Sequence, residues 1–143
     1  MQEKTKKHTG EFYTPDTLAE DMAELLLQDF SPEGDQIPRI LDPSCGDGQL
    51  LEAVFHKLLK LYKPYREDEK KLKAEIVEQM LFGMDISQEG IRKTRERLRA
   101  LGNLDEEAKL QFVMTDFLLG PKRKKTVKGG SFTHIIGNPP YIG

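Results

Sequence analysis

Hydrophobic positions along the chain alternate between two rhythms. Leu18, Met22, Leu25 and Leu26 recur at helical spacing up to about Phe30. Thr14-Pro15-Asp16 opens that segment with an N-cap residue, a proline suited to the first helical position, and an acid near the positive end of the dipole. Ser31-Pro32-Glu33-Gly34 stops it. Ile37 to Cys45 then reads as a short buried strand running into a glycine-rich turn, followed by a helix with Leu50, Val54, Leu58 and Leu61 on one face. Met80 to Ile86 is a second buried strand. Ser87 caps a helix carrying Ile91, Thr94, Leu98 and Leu101 in register and ended by Gly102. Leu110 to Leu118 and Phe132 to Gly137 supply a third and a fourth strand. Strands alternating with helices predict an α/β fold with a parallel, doubly wound sheet.

One stretch breaks the rhythm. From Lys63 to Glu78 ten of sixteen residues are charged, and only Leu72 and Ile76 form an apolar stripe. The pattern predicts an exposed, charged helical insertion over 63–79, a solvated face rather than a site. Residues 1–9 are polar and are expected to be flexible. No internal repeat appears, which excludes a solenoid.

At 143 residues the chain is one domain or part of one. With 22 Lys+Arg against 24 Asp+Glu the net charge is −2, which gives no support to a general nucleic-acid coat protein. Apolar runs reach only three residues, as at Leu25-Leu26-Leu27, far below the roughly 18 of a membrane span. The polar, Lys-rich opening is not a signal peptide. A single cysteine rules out an internal disulfide framework and fits a reducing cytoplasm. Cys45 with the scattered His8, His56 and His134 makes no metal-ligand cluster.

The chemistry concentrates at strand ends. Leu41-Asp42-Pro43-Ser44-Cys45-Gly46-Asp47-Gly48 lies between a strand and a helix, where glycines let a ligand approach the backbone and the helix N-terminus. A nucleotide-type cofactor suits that place, with a plain tight turn as the alternative. The turn lacks the Gly-Lys-Ser/Thr of a phosphate-binding loop and the three glycines of the dinucleotide fingerprint. Asp85, at the end of the second strand, is placed to accept from ribose hydroxyls or to cap the Ser87 helix. It stands 43 residues after Asp42, and the charged insertion explains why the interval exceeds the usual roughly 20. Asp116 repeats the pattern at the third strand. The fourth strand delivers Asn138-Pro139-Pro140-Tyr141, in which the prolines stiffen the turn and hold an amide and a carbonyl in fixed positions beside an aromatic ring. Lys122-Arg123-Lys124-Lys125 with Lys128 is either a phosphate contact or a solvated loop.

In this order, Gly10-Glu11-Phe12-Tyr13-Thr14-Pro15, the turn at 42–48, Asp85, Asp116 and Asn138-Pro139-Pro140-Tyr141 resemble the amino-methylating DNA methyltransferases. The resemblance is greatest to the adenine-N6 enzymes of restriction–modification systems, either type I modification subunits or fused restriction–methylation enzymes, and runs from about residue 8 to 142. It implies a Rossmann-like S-adenosylmethionine-dependent methyltransferase fold, truncated after the fourth strand and without a target-recognition domain. It implies S-adenosyl-L-methionine as methyl donor. Thr14 and its helix would hold the methionine carboxylate, Asp42 the ammonium, and the backbone of Ser44, Cys45, Gly46 and Gly48 would wrap the methionine. Asp85 would take the ribose hydroxyls, with Ile86 also among the cofactor-binding residues, and Asp116 with Phe117 the adenine. Asn138 and the Pro139 carbonyl would accept the amine hydrogens of a flipped base, the Pro140 ring would stiffen the turn, and Tyr141 would stack on the base.

Asn-Pro-Pro-Tyr also occurs in methyltransferases of RNA base amines and of protein glutamine amides, which stay open as alternatives, as does a non-catalytic cofactor-binding fragment. Cys45 as the covalent nucleophile of cytosine-C5 methylation is disfavoured, because it lies in the cofactor loop. The expected partners are DNA, through the full-length protein, and specificity or restriction subunits or domains, with no membrane. A chain ending at Gly143 is expected not to methylate DNA unaided and to leave its fourth strand near an exposed edge.

Overall fold

The computed structural model describes residues 15–34, 36–115 and 131–137. Among the described residues, four strands, β1 (Ile40–Asp42), β2 (Leu81–Asp85), β3 (Phe112–Met114) and β4 (His134–Ile135), form one sheet in the order β3-β2-β1-β4. Every pairing is parallel: Ile40 lies opposite Leu81 and His134, and Gly83 opposite Phe112. The expected parallel α/β sheet is therefore present, with β1 at its centre. The chain runs outward from β1 to β3 and then returns to β1's other side as β4. That reversal opens a crevice at the carboxyl ends of β1 and β4, the place where open α/β sheets bind ligands. β4 stands at the edge, with Ile135 59% exposed.

Helices α1 (Asp16–Leu26), α2 (Gln49–Tyr62), α3 (Glu69–Glu75) and α4 (Gln88–Leu101) share one apolar cluster with Ile40, Leu81 and Phe112. A second cluster holds Leu41, Phe82 and Met84, with Val113 and Phe132 packed against it. The Arg39 guanidinium lies 4.4 Å from the Phe82 ring centre and 5.4 Å from that of Phe132. Alternation along β1 and β2 separates the two clusters, as the period of a strand requires. No helix of the described residues is long and apolar enough to cross a membrane.

Four local expectations need correction. Pro15 is the N-cap of α1, not its first helical residue: its φ is −55° and its ψ 148°, and its carbonyl accepts from Ala19 N at 2.9 Å. Proline's ring fixes φ in either case, and ψ alone decides. The buried face of α1 is Ala19 and Ala23, continued by Leu27, while Leu18 is half-exposed and Leu25 is 66% exposed. Small side chains bring α1 close to α2; of the expected stripe, Met22 and Leu26 pack against the core, and Leu18 and Leu25 turn to the surface.

The charged segment is only superficially an exposed insertion. After a 3-10 turn at Lys63–Tyr65, α3 is capped by the Asp68 carboxylate, which accepts from Lys71 N at 3.0 Å. The helix then widens into a π turn, Ile76–Met80, which puts Met80 in that turn rather than in β2. Leu72, Ile76, Val77 and Met80 are all fully buried in the main core. Gly102 follows α4 as expected but keeps right-handed geometry (φ −84°), and the left-handed residue is Asn103 (φ 56°). Gly102 is needed for space, since a Cβ there would sit 3.0 Å from Val77 Cγ2.

Candidate functional site

The parallel register brings four strand ends to one edge. Asp42 closes β1 and Asp85 closes β2. Thr115, just beyond β3, donates its N–H to Asp85 O at 2.8 Å. Beyond β4, Ile136 N bonds Leu41 O at 2.9 Å, and Gly137 stands beside Asp42, so that a Cβ there would be 3.7 Å from Oδ1. The helices contribute their N-termini: Gln49, first in α2, donates from Nε2 to Asp16 Oδ1, first in α1, at 2.7 Å.

The turn between β1 and α2 is held on every side by backbone chemistry. Cys45 N bonds Met84 O at 2.9 Å, which ties the turn to β2. Gly46 N donates to Asp85 Oδ2 at 2.7 Å, and Ser87 N to Asp85 Oδ1 at 2.8 Å. Gly46 (φ +56°) and Gly48 (φ +91°) occupy left-handed geometry that L side chains resist, so both glycines are required here. Asp85 thus holds two backbone segments at once. It receives the Ser87 amide at the head of α4 and steadies the glycine turn, while carboxylate oxygens keep further lone pairs for a ligand. The Ser87 hydroxyl caps α4 by accepting from Gly90 N at 3.0 Å. Next to Asp85, Ile86 is 69% exposed and offers an apolar surface at the mouth of the edge.

Asp42 is the chemically unusual residue. It is 1% exposed; Oδ1 accepts from Ser44 N at 3.0 Å, and Oδ2 is buried with no hydrogen-bond partner. Burial pushes its carboxyl from an ordinary 3.8 up to about 7, the Ser44 amide pulls it down, and the nearby Asp85 charge raises it again. A buried acceptor without a donor, at the crevice between β1 and β4, is suited to a cationic ligand group.

Cys45 is poorly suited to covalent chemistry. Its thiol is buried between Gly83 and Thr94, and burial first, then the Asp42 charge, push it up to about 12. A thiol so raised is not a thiolate at neutral pH.

The edge therefore gathers Asp42, Ser44, Cys45, Gly46, Gly48, Asp85 and Ile86, as the motifs suggested. Thr14, Asp116, Phe117, Asn138, Pro139, Pro140 and Tyr141 lie outside the described residues, as do residues 1–9 and the basic run at 122–128. Sequence reasoning missed the polar residues of α4 that grip the turn. Thr94 donates to Gly46 O at 2.8 Å, and Arg97 Nε donates to Asp47 O at 2.9 Å. A hydroxyl in an otherwise apolar helical stripe was the available signal.

Comparison with known proteins matches residues 1–143 to the model of one family, N-6 DNA Methylase. Among curated proteins, the chain is 30% identical over 144 residues to the type II methyltransferase M.BanIII of Aneurinibacillus aneurinilyticus, covering 96% of this chain and 23% of that protein. It is 28% identical over 117 residues to the type II methyltransferase M.BstVI of Geobacillus stearothermophilus, covering 73% of this chain and 19% of that one. The chain thus spans about a fifth to a quarter of the length of these relatives. Among solved structures, the methyltransferase subunit of a type I restriction–modification system from Streptococcus thermophilus superposes with a TM-score of 0.58 at 22% identity, over 92% of this chain and 23% of that one. At that identity the likeness bears on the fold alone.

Proposed function

The chain belongs to the N-6 DNA methylase family, and on that premise we propose that it is the N-terminal, cofactor-binding part of the catalytic domain of an adenine-N6 DNA methyltransferase in a restriction–modification system. The observation that carries the reading is the unpartnered, buried Oδ2 of Asp42, beside a glycine turn whose backbone is pinned open by Asp85.

S-adenosyl-L-methionine, when bound, supplies an activated methyl group on a sulfonium. Asp42 binds its ammonium, which stabilises the ionised carboxylate and settles the vacant acceptor. Thr14 and the N-terminus of α1 attract the methionine carboxylate. The turn from Ser44 through Cys45, Gly46 and Gly48 wraps the methionine. Asp85 accepts from the ribose hydroxyls, Ile86 covers the nucleoside, and Asp116 with Phe117 takes the adenine.

Asn138 Oδ1 and the Pro139 carbonyl accept the two amine hydrogens of the extruded adenine. That draws the nitrogen lone pair out of ring conjugation, while Pro140 stiffens the turn and Tyr141 stacks on the base. Positioning rather than proton transfer carries the rate, because no titrating base is needed for direct displacement. Base recognition and the full reaction belong to the whole protein, with DNA as substrate, specificity and restriction subunits or domains as partners, and the cytoplasm as its place.

The test is equilibrium binding of S-adenosylhomocysteine, which keeps the ammonium, to wild type and Asp42→Asn between pH 6 and 8.5. Affinity in the wild type should rise as pH passes about 7, because only the ionised Asp42 pairs with the ammonium. Asp42→Asn should lose at least ~10-fold and the pH dependence with it, as expected on breaking a buried charge pair. Absence of binding to the wild type overturns the cofactor reading, and binding indifferent to Asp42 overturns that residue's role. For substrate, methyl transfer by the longest natural form to RNA or to a glutamine peptide, and not to unmethylated DNA, sinks the DNA assignment.

A further inference from the structure

The glycine turn is gripped from behind by one face of α4, and none of its gripping residues belongs to the motifs that identify the family. Gly90, Thr94 and Arg97 are spaced i, i+4, i+7, which places them along one side of the helix. Gly90 meets the turn by its bare backbone: a Cβ there would lie 2.9 Å from Gly46 O. One turn on, the buried Thr94 hydroxyl donates to the same carbonyl at 2.8 Å. A Cβ on Gly48 would meet Thr94 Oγ1 at 3.2 Å and Leu98 Cδ2 at 3.3 Å, so helix and turn fit with no room for side chains between them.

Arg97 completes the contact. Its Nε donates to Asp47 O at 2.9 Å, Nη2 lies 3.4 Å from Asp47 Oδ2, and Nη1 reaches Glu52 Oε1 on α2 at 2.5 Å. One guanidinium therefore joins α4, the turn and the first turn of α2. Two successive carbonyls, of Gly46 and Asp47, are engaged from the α4 side, while the Gly46 amide is engaged from the β2 side by Asp85.

We propose that Thr94 and Arg97 are positioning residues for the cofactor, holding residues 45–48 in the shape that receives the methionine. The proposal rests on the cofactor reading above and deepens it. Left-handed residues make a turn that has other conformations open to it once its carbonyls are released. A ligand that needs one shape then binds more weakly in proportion to the fraction that keeps it. Thr94 and Arg97 act through the turn, so their effect is on affinity and loop motion, not on the chemical step.

Two readouts test this on the whole chain: amide hydrogen exchange without ligand, and binding of S-adenosylhomocysteine. Thr94→Val keeps the shape and removes the donor, leaving the part-buried Gly46 O without its hydrogen bond. Exchange at Gly46 and Gly48 should accelerate ~10-fold while amides in the middle of α2 stay within ~2-fold, and affinity should fall by a comparable factor. Thr94→Ser should restore both. Arg97→Lys, at the rim, should give a smaller change of the same kind and serves if Thr94→Val does not fold. Unchanged exchange at Gly46 and Gly48 in the folded variants overturns the proposal. So does faster exchange with undiminished affinity. A wild type that fails to bind S-adenosylhomocysteine defeats the cofactor reading instead, and the exchange data then decide the grip alone.

Discussion

The ends of β1 and β2 carry the same residue type on adjacent strands, and the two aspartates live in opposite circumstances. Asp85 has a backbone N–H on each carboxylate oxygen, from Gly46 and from Ser87. Asp42 is sealed in the core with one oxygen on Ser44 and the other on nothing. The first carboxylate is structural as it stands and can serve a ligand as well. The second, when ionised, is a cost to the folded chain, because its buried Oδ2 has no donor. The difference teaches that a strand-end acid is not one kind of site: satisfaction of its oxygens decides whether it holds the loop or stays a buried, unpaired acceptor.

The sharpest way to break this contrast is pH. Asp42 is raised from 3.8 to about 7 in the fold, so between those values the unfolded chain has released a proton that the folded chain keeps. Its contribution is therefore full below about pH 4, declines as pH rises, and is exhausted above about 7. Asp42→Asn should remove that decline, so the wild type should lose about 4 kcal/mol relative to the variant from pH 4 to pH 8, read from denaturant melts. A constant difference between the two proteins across that range would mean that Asp42 ionises normally in the fold. Asp85→Ala should do the opposite of Asp42→Asn at pH 8, destabilising by roughly 2–3 kcal/mol because two N–H groups lose a charged acceptor. Equal stability of the two variants would erase the distinction.

The glycines beside each strand end extend the comparison to smaller effects. A Cβ on Gly83 of β2 would press Cys45 Sγ and Phe112 Cδ1, both at 3.1 Å. Gly83→Ala should therefore cost about 1–3 kcal/mol through overpacking. At Gly137, across the crevice from Asp42, the nearest atoms stand at 3.7 and 3.8 Å, ordinary contact. Gly137→Ala should move the melting midpoint by less than ~0.5 kcal/mol equivalent. A large loss there would show that the crevice is as tightly packed as the β2 side.

Much of this was legible in the chain. Short buried apolar runs and helical stretches named four strands and the principal helices, and the short motifs fell at strand ends because parallel α/β connections put them there. Asp42, Asp85 and the two left-handed glycines were visible as candidates. What could not be read was which oxygen of which aspartate is satisfied, because that depends on Ser44, Gly46 and Ser87 meeting in space. The α1 face was only half legible for a similar reason: Met22 and Leu26 pack on the core as expected, but Ala19 and Ala23 are buried because α2 lies close, and helical spacing cannot tell which leucines of a stripe stay at the surface. The charged segment hid Val77 behind its composition, and a π turn takes up Met80 before β2 begins, because composition carries no turn geometry.

By itself, then, the sequence determined the order of elements, the parallel architecture and the family. Local propensity and the spacing of short motifs act over a few residues and survive without a partner. Only the tertiary structure decided the burial of Asp42, the double duty of Asp85 and the grip of Thr94 and Arg97 on the turn. Each depends on groups dozens of residues apart sharing a low-dielectric edge, where the free energy of a charge or a hydrogen bond is set by its neighbours in space and not by its neighbours in the chain.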